Sequence, residues 1–215
     1  MNRKLRMNRL FQILYPLLVY IIFYQAMDFV FLLLIGGYVS ALTCLWLSAL
    51  VTLVPMITIY RNAPTVKNKD AFQKTDLKKD GMAILLVVAI GVGLNLLVTY
   101  FQLIPDSSNY EAANRVLYSG STVIKILCNA ITIPILEEFL YRGIIAGQLE
   151  VFYNKKIAIL FSAILFGALH FNVVQFVYAF ICGIALGYIY LKDHKIWVPI
   201  VAHGMTNLVV ILATL

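Results

Sequence analysis

Charge is what this sequence has least of: 13% of its residues are charged, against about a quarter in an average soluble domain. With 62% of 215 residues hydrophobic, the apolar excess cannot all be enclosed in one core, because a chain of this length still leaves much surface. A soluble domain is thereby excluded, and lipid is the expected partner of the outer surface. Cysteine is scarce too. Cys44, Cys128 and Cys182 lie far apart inside apolar runs, which argues against a disulfide framework or a cysteine metal site and leaves small apolar fillers. The net charge is +7, yet no basic stripe alternates with exposed aromatics, so nucleic acid is not an expected partner. Several peptidase signatures are missing as well. There is no His-Glu-x-x-His zinc motif, no Gly-x-Ser-Gly and no Gly-x-Gly-Asp. Asp28 is the only aspartate inside an apolar run, which excludes an aspartyl dyad.

What remains is a series of apolar runs, several of them near the 20 residues that cross a bilayer as a helix. They cover about 10–35, 38–60, 82–104, 122–149, 157–170, 173–191 and 197–215. The expected fold is all-α, a polytopic membrane bundle of about seven transmembrane helices. Gly36-Gly37 and Pro105-Asp106-Ser107-Ser108 mark turns, and residues 109–119 read as a short amphipathic helix or loop. The first run is too long for a signal-peptide core and has no small-residue cleavage site, so it reads as a retained helix. The fifth run is short for a span, which predicts helices rather than lipid around it. Gly143-x-x-x-Gly147 and Gly183-x-x-x-Gly187 read as packing faces. Residues 1–80 form an N-terminal hairpin and loop and 81–215 the remaining core, within what is expected to be one domain.

Orientation follows from lysine and arginine. The N-terminal tail carries four, the 61–80 loop six, and the 150–156 and 192–195 turns two each, so 14 of 17 fall on one side of a seven-span chain. Basic loops stay inside. The protein is therefore expected in the cell membrane with its N-terminus cytoplasmic.

Five ionisable residues sit within the later runs: Glu137, Glu138, Arg142, His170 and His203. Intramembrane charge is costly and usually marks function. Glu138 and Arg142 are four apart and can pair along one helix face, while Glu137 is rotated away by about 100° and left freer for chemistry. Pro134 is expected to kink the helix beside them. His203 and Asn207 share a face of the seventh run. At about 1.5 Å per residue, Glu137, His170, His203 and Asn207 lie roughly 18, 20, 10 and 16 Å from the basic ends of their helices, a similar level. A carboxylate beside a histidine can activate water, and a second histidine with an asparagine amide can stabilise an oxyanion. Equally, Glu137, His170 and His203 could hold zinc with an open position. Spacing alone leaves both open.

Glu137-Glu138-Phe139-Leu140-Tyr141-Arg142, Phe166-Gly167-Ala168-Leu169-His170 and His203-Gly204-Met205-Thr206-Asn207 resemble, in order and spacing, the three motifs of the CAAX-protease and bacteriocin-processing (CPBP, or Abi) family. The resemblance covers residues 121–215. It implies a membrane endopeptidase acting on a small peptide or membrane-anchored protein, with its site sunk from the cytoplasmic face. Carried over by position, Glu137 and His170 activate the water, His203 and Asn207 stabilise the oxyanion, and Glu138 and Arg142 support them. The family is often called metalloprotease, but its best-understood members resemble metal-independent glutamate proteases. No cofactor is required on that reading, and zinc on the other. A non-catalytic bacteriocin-immunity or scaffold protein is the alternative, and a proton or ion transporter a third reading.

Overall fold

A computed structural model describes residues 8–67, 75–101, 115–116, 119–170 and 172–213. The expected helix or loop at 109–119 falls largely outside them. Among the described residues seven long helices follow one another: α1 (Arg9–Ile35), α2 (Ala41–Asn62), α3 (Leu77–Tyr100), α4 (122–152), α5 (Lys155–Ala168), α6 (Val173–Asp193) and α7 (Trp197–Ala213). Among the described residues there is no strand, and the chain is an all-α membrane helix bundle.

Side-chain oxygens of Asn8, Ser40, Asn154 and Asn172 accept first-turn N–H groups of α1, α2, α5 and α6. Asp76 does the same for α3, so that helix starts five residues earlier than its apolar run, through the exposed Lys78 and Lys79. The Lys79 N–H bond, at 3.2 Å, is the largest influence holding the Asp76 carboxyl below its usual range. α1, α2, α3 and α6 are long and apolar enough to cross a membrane outright, and α7 is a shorter apolar helix. The 14 residues of α5 extend only about 21 Å against a hydrocarbon core of about 30 Å. Its shortness puts His170, just past its end, inside the bundle. Leu160 and Phe161 nevertheless remain exposed, so one face of α5 meets lipid rather than protein. On α1 the exposed Leu10, Leu14, Leu18, Ile22, Phe29 and Leu33 form an apolar face interrupted by the exposed Gln25.

The two ends of the bundle are chemically distinct. At one, Lys195 bonds both Asp80 oxygens (2.8 and 3.1 Å), Lys155 donates to the Leu191 carbonyl (2.7 Å), and His194 meets Glu150 (2.7 Å). The Asp80–Lys195 pair is buried and ties the first turn of α3 to the α6–α7 turn. Arg9 lies over the Tyr153 ring at this same end. At the other end the Ser119 hydroxyl accepts the Leu42 N–H at 3.2 Å. These are called below the lysine end and the serine end.

α4 is the central helix and packs against α1, α2, α5, α6 and α7. It is not a uniform α-helix. Ile126–Thr132 and Phe139–Ala146 are π-helical, separated by the α segment Ile133–Glu138. Pro134 explains part of this. A π register pairs each N–H with the carbonyl five residues back, as Ile133 does with Cys128. Pro134 has no N–H to give Asn129. The Asn129 carbonyl instead accepts the Asn207 side-chain amide of α7 at 2.8 Å. The expected kink is thus realised as a π segment with a tertiary partner, further held by Trp46 Nε1 donating to Thr132 Oγ1 at 3.0 Å.

α7 reaches this position because two glycines omit a side chain. A Cβ at Gly204 would run into the Ala130 carbonyl oxygen, and one at Gly91 of α3 into the Thr206 methyl. The Gly204 obstacle is backbone and cannot rotate away. Gly204→Ala is expected to cost about 1–3 kcal/mol, read as an earlier unfolding transition in detergent, whereas Gly93→Ala, in open space, costs little. The two Gly-x-x-x-Gly stretches do serve packing: Gly143 and Gly147 receive Tyr60 and Thr65, Gly183 and Gly187 receive Ala163 and Ile159. All three cysteines are free and buried.

Candidate active site

Four of the six residues singled out in the sequence, Glu137, His170, His203 and Asn207, line one cavity of about 350 Å³ between α3, α4, α5, α6 and α7. The other two, Glu138 and Arg142, lie behind its wall, both with fully buried side chains. Arg142 Nη1 stands 3.1 Å from Glu138 Oε1, the i,i+4 pair that the spacing predicts. Its Nη2 reaches the Gly183 carbonyl at 3.4 Å, and its guanidinium carbon sits 4.5 Å above the Phe166 ring. A buried cation is here held by a carboxylate, a carbonyl and an aromatic face.

Glu138 has a second partner that spacing could not reveal. His203 Nδ1 lies 2.9 Å from Glu138 Oε1, across 65 residues of sequence. A carboxylate only accepts, so Nδ1 carries the proton and Nε2 turns towards the cavity, 3.8 Å from Glu137 Oε2. His170 is fixed by the same logic. Its Nδ1 is 2.9 Å from the Phe166 carbonyl, which again only accepts, so a neutral ring offers Nε2 as the lone pair. Phe166 is the hub. It meets His170, His203 and Tyr141 edge-on at 5.2, 5.7 and 5.1 Å while Arg142 covers its face. The Phe of the Phe-x-x-x-His pattern therefore orients both histidines and the arginine.

Glu137 and Glu138 thus have separate surroundings. Glu138 is shared between Arg142 and His203, while Glu137 faces the cavity with its side chain 16% exposed. Asn207 has one amide bond committed to Asn129. Sequence reasoning missed Asn95, Asn129, Gln175, Tyr178 and Thr206, which also line the cavity. A signal existed for Asn129, which is eight residues before Glu137, with Ile133 between them on the same face. A metal fits less well. Among the described residues no three His, Cys, Asp or Glu side chains are placed to hold an ion, the set Glu137, His170 and His203 included.

The family model for type II CAAX prenyl endopeptidase Rce1-like proteins matches residues 119–209, the stretch that carries all six residues. The chain is 28% identical over 181 residues to "Putative membrane peptidase YdiL" of Bacillus subtilis (strain 168), covering 80% of this chain and 72% of that one. Both findings support the resemblance of this chain to CPBP-family intramembrane proteases. No solved structure matches it. The apolar helices and these two matches support a multi-pass membrane protein of a protease type, and every side chain of the three CPBP-like motifs is found at or directly behind one cavity.

Proposed function

We propose that this protein is a CPBP-family endopeptidase that hydrolyses a peptide bond within the bilayer by carboxylate-activated water. The observation that carries this reading is the division of labour between adjacent glutamates: Glu138 is held by Arg142 and His203, and Glu137 is left facing the cavity. Glu137 takes a proton from water, with the free Nε2 of His170 orienting the same water. The water oxygen bonds to the substrate carbonyl carbon, and negative charge develops on the carbonyl oxygen. In its doubly protonated form His203, with Nδ1 held by Glu138, donates from Nε2 to that oxygen together with the second N–H of Asn207. The C–N bond then breaks and Glu137 returns its proton to the leaving amine. Arg142 balances Glu138, so the pair brings no net charge into the core.

The reading is metal-independent because the donors do not converge on an ion. Purified protein in detergent is expected to release defined products from a peptide library, scored by mass spectrometry. Its rate should change less than about twofold with a zinc chelator. A chelator-induced loss restored by Zn²⁺ would return zinc to the site, and no products from any peptide would sink the peptidase reading. The excess of lysine and arginine at the lysine end supports an orientation with that end, and the N-terminus, in the cytoplasm.

A further inference from the structure

The cavity does not sit evenly along the bundle. Its lining includes Val98, two residues before α3 ends, and Asn129, in the first third of α4. It also includes His170 just past α5, Val174 and Gln175 in the first turn of α6, and Ile211 near the end of α7. All of these belong to the serine end. Towards the lysine end the lining narrows to Val87 and Leu186, which are 2% and 1% exposed. Below them Ile84, Val87, Leu186, Ile189, Val198 and Ala202 close into an apolar cluster between α3, α6 and α7. Beneath that plug the buried Asp80–Lys195 pair joins the same three-helix junction. The floor is therefore shut twice, first by packed aliphatic side chains and then by an ion pair. Exposure follows the same gradient, since Asn95, Val98, Val174 and Gln175 are partly exposed while Val87, Ala179, Cys182 and Leu186 are buried.

Charge adds a second constraint. Among the described residues, no acidic or basic side chain other than Glu137, His170 and His203 lines the cavity, and Arg142 is sequestered behind Phe166. A substrate carboxylate inside would find no lysine or arginine among the described lining residues to pair with, and a substrate charge left unpaired there is disfavoured. The lining instead offers aliphatic walls with the amides of Asn95, Asn129, Gln175 and Asn207, groups suited to the N–H and C=O of an extended chain.

We propose that substrate enters from the serine end, away from the lysine-bearing turns, and that the segment admitted around the scissile bond is uncharged and largely apolar. With basic loops cytoplasmic, the serine end is extracytoplasmic, opposite to the face from which the resemblance implied access. The substrate class is then a peptide or membrane-protein segment presented from the outer leaflet. The part concerning cleavage rests on the peptidase reading. The route does not.

Two measurements separate them. In a chain with its three native cysteines replaced by alanine, Gln175→Cys, Val98→Cys and Lys156→Cys are treated with a membrane-impermeant maleimide in intact cells and in inside-out vesicles. The cavity cysteines should label from one side and Lys156→Cys from the other, with two cavity positions guarding against one variant failing to fold. Labelling of the cavity cysteines from the same side as Lys156→Cys, or from neither side, overturns the route. In the second measurement, peptides cleaved by the wild-type protein are resynthesised with Lys or Asp beside the scissile bond. These are expected to lose about tenfold or more in kcat/KM. Equal or better cleavage overturns the substrate class, whereas failure to cleave any peptide removes the peptidase reading and leaves the labelling result standing.

Discussion

Replacing Glu137 by glutamine is expected to lower kcat for peptide hydrolysis by about 10²–10⁴-fold, the usual contribution of a positioned general base. The amide matches the carboxylate in shape but cannot take a proton from water. Because Glu137 faces the cavity and Arg142 is paired with its neighbour, the substitution leaves no buried cation stranded. KM and the unfolding temperature should stay close to wild type. The check is product formation under saturating peptide together with a thermal unfolding curve in the same detergent. A variant within about threefold of wild-type kcat would remove Glu137 as the base. A binding protein with this fold would tolerate the substitution in its cellular role, so the same variant separates the peptidase from the immunity or scaffold alternative.

The largest stability effect is expected at the residue behind the wall. Arg142→Met keeps much of the volume above Phe166 but leaves the fully buried Glu138 carboxylate without its counter-ion. Removing one partner of a buried pair costs about 3–5 kcal/mol, far more than the pair itself contributes over an apolar replacement. The double variant Glu138→Gln with Arg142→Met should recover a large part of that loss, because no charge then remains unpaired. Equilibrium denaturation of the single and double variants in one detergent measures both. If Arg142→Met costs less than about 1 kcal/mol, Glu138 is not ionised against Arg142 in the folded protein. Activity should fall in both variants, since each disturbs the anchor of His203 Nδ1.

Much of this site can be read from spacing because its partners are local. Glu138 with Arg142 and His203 with Asn207 are each four residues apart, and helical periodicity alone puts each pair on one face. The helix count and most boundaries follow from apolar runs for the same reason. What spacing hides are contacts between distant segments. His203 grips Glu138 across 65 residues and Lys195 grips Asp80 across 115, and neither pairing leaves a local trace. Asp80 in particular looks like the last polar residue of a loop, yet its cap at Asp76 draws it into α3 and the fold buries it. The π segments of α4 escaped for a related reason. Pro134 announces a disturbance, but the form it takes depends on Asn207 and Trp46 arriving from other helices.

That widened helix carries a consequence for the lineage of the protein. A π turn is an α turn holding one residue too many, so the segment before Pro134 behaves like an accommodated insertion. Losing a single residue there would let the backbone relax to the ordinary repeat and would swing everything on one side by about 100° relative to the other. Glu137 would turn out of the cavity while its motif remained intact letter for letter. Relatives of this chain that keep the double glutamate but differ by one residue between Lys125 and Pro134 are therefore candidates for descendants that have kept the signature and lost the chemistry.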